Sequence, residues 1–166
     1  SNNNNLRSLS PSIGNLINLQ HLKISSTHNI QSLSSLIGNL SKLQHLNISS
    51  NYNFQSFPSS IGNLINLQYL EVSDFQSLPS SIGNLTNLKH LNITSSANLQ
   101  SLPSSIGNLI RLQHLVISGM SSKFFKPFPD SIGNFTNLQH LKISGNSCLQ
   151  SLPSSICNLT ILQHLN

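Results

Sequence analysis

Apolar residues recur along this chain in a pattern that is repeated seven times. Each copy contains a segment of the form LQHLxIS, with Leu, Leu and Ile or Val at positions one, four and six. The last two are two residues apart, so they share one face of a short strand while the residue between them faces the other way. The pattern predicts seven short strands, centred near Leu22, Leu46, Leu70, Leu91, Leu115, Leu141 and Leu165.

The second half of each copy, of the form LxSLPSSIGNLxx, interrupts the strand pattern. Its Pro cannot continue a strand, and the five residues after it can form one helical turn. Its Gly suits either tight packing or a positive φ. We therefore expect a short helical segment after each strand.

The spacing between copies is nearly constant. The Ile of the SIGN motif or its equivalent recurs at intervals of 24, 24, 21, 24, 26 and 24 residues, from Ile13 to Ile156. One such unit cannot bury its own apolar face, so the units must stack, with their strands pairing in parallel. We expect one repeat domain over residues 6–166, truncated in its last repeat, after a low-complexity linker or degenerate cap over residues 1–5.

Two segments, LQHLNISSNYNF (43–54) and LQHLKISGNSCL (138–149), resemble the LxxLxLxxN signature of leucine-rich repeats. Asn51 and Asn146 stand where the family's Asn side chain bonds the backbone of neighbouring coils. The resemblance implies an α/β repeat fold: a curved solenoid of about seven repeats with a parallel concave sheet and short helical or 3-10 segments on the convex side. The LPSSIGNL half resembles the repeats of plant nucleotide-binding resistance receptors and related cytoplasmic proteins.

The positions that the apolar pattern leaves free lie on the concave strand face, at the third and fifth residues of LxxLxL. Most third residues are His, and the fifth residues are mixed. Because this face is the surface that the family usually uses, we expect partner binding there. The candidate residues are His21, Lys23, His45, Asn47, Tyr69, Glu71, His90, Asn92, His114, Val116, His140 and Lys142.

The histidine column raises the question of a metal site, since imidazole is a common ligand and neighbouring rings are expected near 5 Å apart. A metal site also needs further ligands and groups that orient them. Only Glu71, beside Tyr69, is placed to help, so we predict neither a metal nor a cofactor and attribute the column to repeat duplication. Repulsion between imidazolium groups should give His114, which lies between two histidines, a lower pKa than His45.

The fifth repeat gains two residues and reads ISGMSSKFFKPFP. Aligned with the other copies, Phe125 and Phe128 replace core Leu residues, and Phe124 is extra. Phe124 is flanked by Lys123 and Lys126, which predicts a second contact point on this loop. The alternative is that Phe124 folds back over the loop.

Composition and motifs exclude several functions. The net charge is +5, but the eight Lys and Arg are scattered, so we expect no nucleic-acid partner. No apolar run reaches the ~18 residues of a membrane helix, so no membrane insertion is expected. No nucleophile elbow, Walker loop or metalloprotease motif is present, which predicts no enzyme and no catalytic residue. Cys148 and Cys157 are expected to be buried or half-buried free thiols, which favours a reducing compartment.

We therefore expect a non-catalytic protein- or peptide-binding module, the cytoplasmic recognition region of a larger signalling or immune-type receptor. The alternatives are a secreted or cell-surface ectodomain that binds a peptide or glycan, the repeat region of a multidomain enzyme such as a kinase or ubiquitin ligase, and a structural spacer. The chain stops inside the seventh repeat, so Ile161, Leu162 and Leu165 should be uncovered and should favour head-to-tail self-association.

Overall fold

The computed structural model describes residues 9–25, 30–49, 54–122, 125–147 and 149–166. Within them, strands alternate with 3-10 helices as predicted. The strands are β1 (His21–Ser25), β2 (His45–Ser49), β3 (Tyr69–Ser73), β4 (His90–Thr94), β5 (His114–Ser118), β6 (His140–Ser144) and β7 (His164–Leu165). The helices are η1 (Pro11–Asn15), η2 (Ser35–Asn39), η3 (Ser59–Asn63), η4 (Ser80–Asn84), η5 (Ser104–Asn108), η6 (Asp130–Asn134) and η7 (Ser154–Asn158). No helix in these ranges is long and apolar enough to cross a membrane.

The strands form one parallel sheet in chain order from β1 to β7, which confirms the predicted stack of coils. Equivalent residues pair at every step: Leu22 lies beside Leu46, and Leu115 lies beside Leu141. The register is kept where the repeat interval shrinks to 21 or grows to 26 residues, because the deletion and the insertion lie between strands.

One carbonyl group per coil anchors the entry to the next strand. The N–H groups of Gln44 and His45 both donate to the carbonyl oxygen of Gln20, at 2.8 and 3.0 Å. The same pair of bonds recurs at the start of each strand from β3 to β7. Since these bonds involve only the main chain, each third-position residue is placed beside its counterpart in the preceding coil whatever its side chain.

The inner face of the sheet forms a continuous apolar core with the 3-10 helices. Leu46, Ile48 and Leu70 are fully buried in it. The shortened third coil is filled by Phe75, which is fully buried and meets Phe57 edge-on at 6.0 Å. Phe54 stands at the equivalent position of the preceding, full-length coil and is also buried, so both coils use an aromatic side chain here.

The insertion in the fifth coil also uses aromatic packing. Phe128 is buried, and Phe125 is half-buried against the core, with their rings edge-on at 5.6 Å. The prediction that these two residues replace core Leu residues is confirmed. Lys123 and Phe124 lie outside the described residues.

Asn146 joins two coils through its side-chain amide. Its Nδ2 donates to the carbonyl oxygen of Ile117 at 3.1 Å, and its Oδ1 accepts from the N–H of Met120 at 2.9 Å. The predicted role of this Asn in bonding neighbouring backbone is confirmed. Asn51, the other predicted member, lies outside the described residues.

The Gly of the SIGN motif is required by close packing between 3-10 helices. A Cβ built on Gly107 would lie 2.5 Å from the carbonyl oxygen and 2.6 Å from the Cβ of Ser131 in the next coil. Cys157 holds the equivalent place in η7, where only η6 among the described elements packs against the helix. Its side chain is exposed, so the expectation of a buried or half-buried thiol is wrong for Cys157. Cys148 lies outside the described residues.

The apolar side chains of the seventh coil differ in exposure. Ile161 is 44% and Leu165 58% exposed, whereas Leu162 is half-buried against the core. The expected exposure is confirmed for Ile161 and Leu165 but not for Leu162. Head-to-tail self-association through this surface stays a prediction.

Gly107→Ala should destabilise the fold by about 1–3 kcal/mol, the usual cost of overpacking, because its new methyl group meets backbone in the next coil. Cys157→Ala is the matched control, since it alters the same repeat position where a side chain is already accommodated. Urea unfolding followed by circular dichroism measures both free energies. Equal stability of Gly107→Ala and the parent protein would contradict the packing described for this position.

Candidate functional site

The outward face of the sheet presents the third and fifth residues of each LxxLxL segment, as predicted. The alternating Leu and Ile or Val residues point into the core, so their neighbours point away from it. We call this surface the histidine face; it is the face predicted to be concave. Its described members are His21, Lys23, His45, Asn47, Tyr69, Glu71, His90, Asn92, His114, Val116, His140, Lys142 and His164.

Imidazole rings stack across the strands of the histidine face. The register pairs His90 with His114 and His114 with His140, and both pairs of ring centroids lie 4.4 Å apart with planes inclined by 12° and 7°. His140 and His164 follow at 4.5 Å. The rings of β1 and β2 are also 4.4 Å apart. The prediction of neighbouring imidazoles near 5 Å apart is therefore confirmed.

Tyr69 divides the imidazole column into a pair and a run of four. Its ring lies 5.7 Å from that of His45 and 6.0 Å from that of His90. Its hydroxyl donates a hydrogen bond of 2.8 Å to Oε2 of Glu71. Burial, followed by the bond to Glu71, raises the pKa of Tyr69, so the phenol remains a neutral donor at neutral pH.

Burial and neighbouring cations act together on the imidazoles. The pKa of His45 is lowered first by burial and then by His21. Burial, Lys89 and His45 lower the pKa of His90. Burial and the two adjacent histidines lower the pKa of His114. His114 thus has a histidine on each side, which is the arrangement expected to make its pKa lower than that of His45. The order of the two pKa values stays a prediction.

The fifth-position residues supply the fixed charges of the histidine face. Lys23 and Lys142 are exposed on β1 and β6, and Glu71 is half-buried on β3 between them. Val116 is apolar, and Asn47 accepts a hydrogen bond of 2.7 Å from Ser49. When the imidazoles are neutral, the face therefore carries two ammonium groups against one carboxylate.

A depression of about 250 Å³ lies at the β1 end of the face. It is lined by two leucines and by His21, Lys23, His45, Asn47 and Tyr69. Pockets for drug-sized ligands usually measure roughly 300–1,000 Å³. The depression therefore suits a single side chain of a larger ligand better than a whole small molecule.

The stacked column does not form a metal cluster in the part of the chain that the structure describes. No three His, Cys, Asp or Glu residues are arranged there to hold a metal ion. Tetrahedral zinc sites use three or four protein ligands around one point, whereas the stacked rings lie along a line. The column is therefore a linear array of rings along one side of the sheet.

The predicted loop contact is described only in part. Lys126 is exposed, and its N–H donates to the carbonyl oxygen of Gln100 at 2.7 Å. Lys123 and Phe124 lie outside the described residues. A partner contact at this loop stays a prediction.

Lys89 is a charged neighbour of the site that the sequence reasoning missed. It precedes His90 and contributes to lowering the pKa of that histidine. The other six coils have Gln at this position. This departure from an otherwise constant column is the sequence signal by which Lys89 could have been found.

Comparisons with known proteins agree with this architecture. The family description "Leucine-rich repeat region" matches residues 2–118, and "Leucine Rich Repeat" matches residues 137–159. No curated protein matches the chain in sequence.

Solved structures with the same fold come from plants and bacteria. The Arabidopsis receptor kinase HAESA, in complex with the peptide hormone IDA and the co-receptor SERK1, is 27% identical with a TM-score of 0.56, over 87% of this chain and 29% of that chain. A Leptospira interrogans leucine-rich-repeat protein is 28% identical with a TM-score of 0.60. The match covers 97% of this chain and 52% of the bacterial chain. The plant peptide hormone receptor RGFR1, in complex with RGF2, is 22% identical with a TM-score of 0.63. The match covers 96% of this chain and 34% of the receptor chain. The chain therefore spans about a third of RGFR1 and half of the bacterial protein.

The lowered pKa values predict that acid destabilises the fold. An unfolded imidazole titrates near pH 6.5, and the folded pKa values of His45, His90 and His114 lie below that value. As the pH falls through and below about 6.5, the unfolded chain binds more protons than the folded chain, so the free energy of unfolding decreases.

We expect a lower melting temperature at pH 5.5 than at pH 7.5, and a smaller difference in the variant His90→Asn/His114→Asn. Arg111→Gln is the control, because it removes a charged side chain that lies outside the imidazole column. Differential scanning calorimetry measures these melting temperatures. An unchanged pH dependence in the double histidine variant would show that the column is not its source.

Proposed function

Because the chain belongs to the leucine-rich-repeat family, we propose that it is a non-catalytic binding module whose histidine face receives a protein or peptide. The observation that carries this proposal is the in-register face itself. Its polar and aromatic side chains are aligned across β1 to β7 and are only partly buried, while the apolar residues between them build the core. Because one face of the sheet packs in the core, the other face is left for contacts with a partner.

The chemistry of the face supports recognition by contact. Tyr69 combines an apolar ring with a hydroxyl held by Glu71, and aromatic residues of this kind are frequent anchors in interfaces. The depression beside it has room for a side chain. Lys23 and Lys142 add exposed cations toward the two ends of the face.

The repeat region is proposed to serve a larger signalling or immune-type receptor. The fold is shared with HAESA, which is bound to a peptide hormone in its solved structure, and this chain covers 29% of it. Such a likeness supports a peptide or protein as the partner. It also favours a second candidate, the extracellular part of a receptor, over a purely structural spacer.

The cytoplasmic recognition region remains our first proposal for the context, because the LPSSIGNL segments resemble resistance-receptor repeats. The full reading frame distinguishes the two contexts. A nucleotide-binding domain beside the repeats supports the cytoplasmic proposal, whereas a signal peptide with a membrane segment and a kinase domain supports the extracellular one.

The double variant Tyr69→Ala/Lys142→Ala should bind the partner about tenfold or more weakly, because it removes an aromatic anchor and an exposed charge from the face. Lys42→Ala/Arg111→Ala is the control: these cations bond Asn18 and Asn87 between coils and lie outside the histidine face. Affinity capture with quantitative mass spectrometry compares the proteins that each variant retains.

Partners that bind the parent and the control but not the Tyr69→Ala/Lys142→Ala variant support the proposal. Circular dichroism confirms that each variant is folded. If the face variant captures the same proteins as the parent while Phe124→Ala loses them, the binding site is the loop of the fifth coil instead.

A further inference from the structure

We propose that the histidine face binds an extended acidic segment of a partner protein and binds it more tightly as the pH falls. This inference rests on the proposed function, since it names the chemistry of the partner that the same face receives. It starts from the alignment of six imidazoles in register along one side of the sheet.

The charges that face the column favour an anionic ligand. Within the described strands, Lys23 and Lys142 project from the same side, and Lys89 precedes His90 at the entry of β4. Glu71 is the carboxylate among the face residues, and it already accepts the hydrogen bond of Tyr69. A further carboxylate, Asp74, follows β3 and accepts from the hydroxyl of Ser73 at 2.8 Å.

Protonation of the imidazoles makes the net charge of the histidine face more positive. Each imidazole of the face that takes up a proton adds one positive charge to the face and no negative charge. The rings are 4.4–4.5 Å apart within the run from His90 to His164, so imidazolium groups there repel each other. An anion laid along the column offsets that repulsion, so anion binding and proton uptake strengthen each other.

The length of the column suits an extended peptide. Adjacent strands are about 4.8 Å apart, so the four imidazoles of β4 to β7 span roughly 14 Å. About four extended residues cover the same distance. Carboxylate side chains on such a segment can therefore reach several imidazoles at once, which a single small anion cannot do.

The cations on the flank of the coils do not form a comparable surface. Lys42 donates to Asn18 at 2.8 Å, and Arg111 donates to Asn87 at 2.6 Å, so both are engaged between coils. Neither belongs to the strands that form the histidine face. Replacing Lys42 and Arg111 therefore gives a matched control for the non-specific attraction of an acidic peptide to a basic protein.

The test uses N-acetylated, C-amidated octa-aspartate as the probe, because its carboxylates stay ionised at pH 5.5. Octa-asparagine is the neutral control peptide. Isothermal titration calorimetry at fixed ionic strength gives the dissociation constant at pH 5.5 and pH 8.0. We expect octa-aspartate to bind at least tenfold more tightly at pH 5.5, with net proton uptake, and octa-asparagine to show no such change.

The variant His90→Gln/His114→Gln/His140→Gln should reduce the pH ratio to about threefold or less. The control Lys42→Gln/Arg111→Gln should lower the affinity at both pH values but keep the ratio. Circular dichroism at pH 5.5 confirms that each protein is folded. A triple variant that keeps the full ratio, or a control that loses it, overturns the proposal.

Two further outcomes distinguish an acidic protein segment from a nucleic acid, and from a protein partner bound without pH dependence. If an oligodeoxythymidylate of equal charge binds more than tenfold tighter than octa-aspartate, the ligand is a nucleic acid and the acidic-segment proposal is wrong. If partner capture depends on Tyr69 and Lys142 but octa-aspartate shows no pH-dependent binding, the proposed function stands and this inference fails.

Discussion

Main-chain hydrogen bonds at the strand entries hold each coil in register with the coil before it. In each coil from the second onward, two consecutive N–H groups donate to one carbonyl oxygen of the coil before it. These bonds align equivalent residues irrespective of side chain and survive a deletion and an insertion between strands. The apolar core and the imidazole stack are both consequences of this alignment, because each requires a residue and its copy to lie side by side.

Much of the fold could be predicted from sequence because the repeat carries two independent signals. The spacing of Leu and Ile gives the strand and its buried face, and the constant interval between copies gives parallel stacking. The same two signals place His90 beside His114 and Tyr69 beside His45, as the structure has them. The histidine face was therefore predictable in its membership and its order.

Features that depend on contacts between specific side chains were less accessible to sequence reasoning. The exposure of Cys157 follows from what packs against η7, which the local motif does not encode. The bond between Tyr69 and Glu71 needs a rotamer that brings the hydroxyl to 2.8 Å from the carboxylate. Lys89 lowers the pKa of the adjacent His90, and the only sequence sign of it is that Lys replaces the Gln of the other six coils.

Equivalent residues of successive coils lie side by side even where the repeat interval is 26 residues. Nuclear Overhauser contacts between imidazole protons, with selectively labelled histidine, test this alignment most directly at His114 and His140. We expect a strong contact between these two rings, whose centroids are 4.4 Å apart and whose planes are 7° from parallel. Contacts from His114 to the side chain of Lys142, with none to His140, would mean a register shifted by two residues and would contradict the side-by-side alignment.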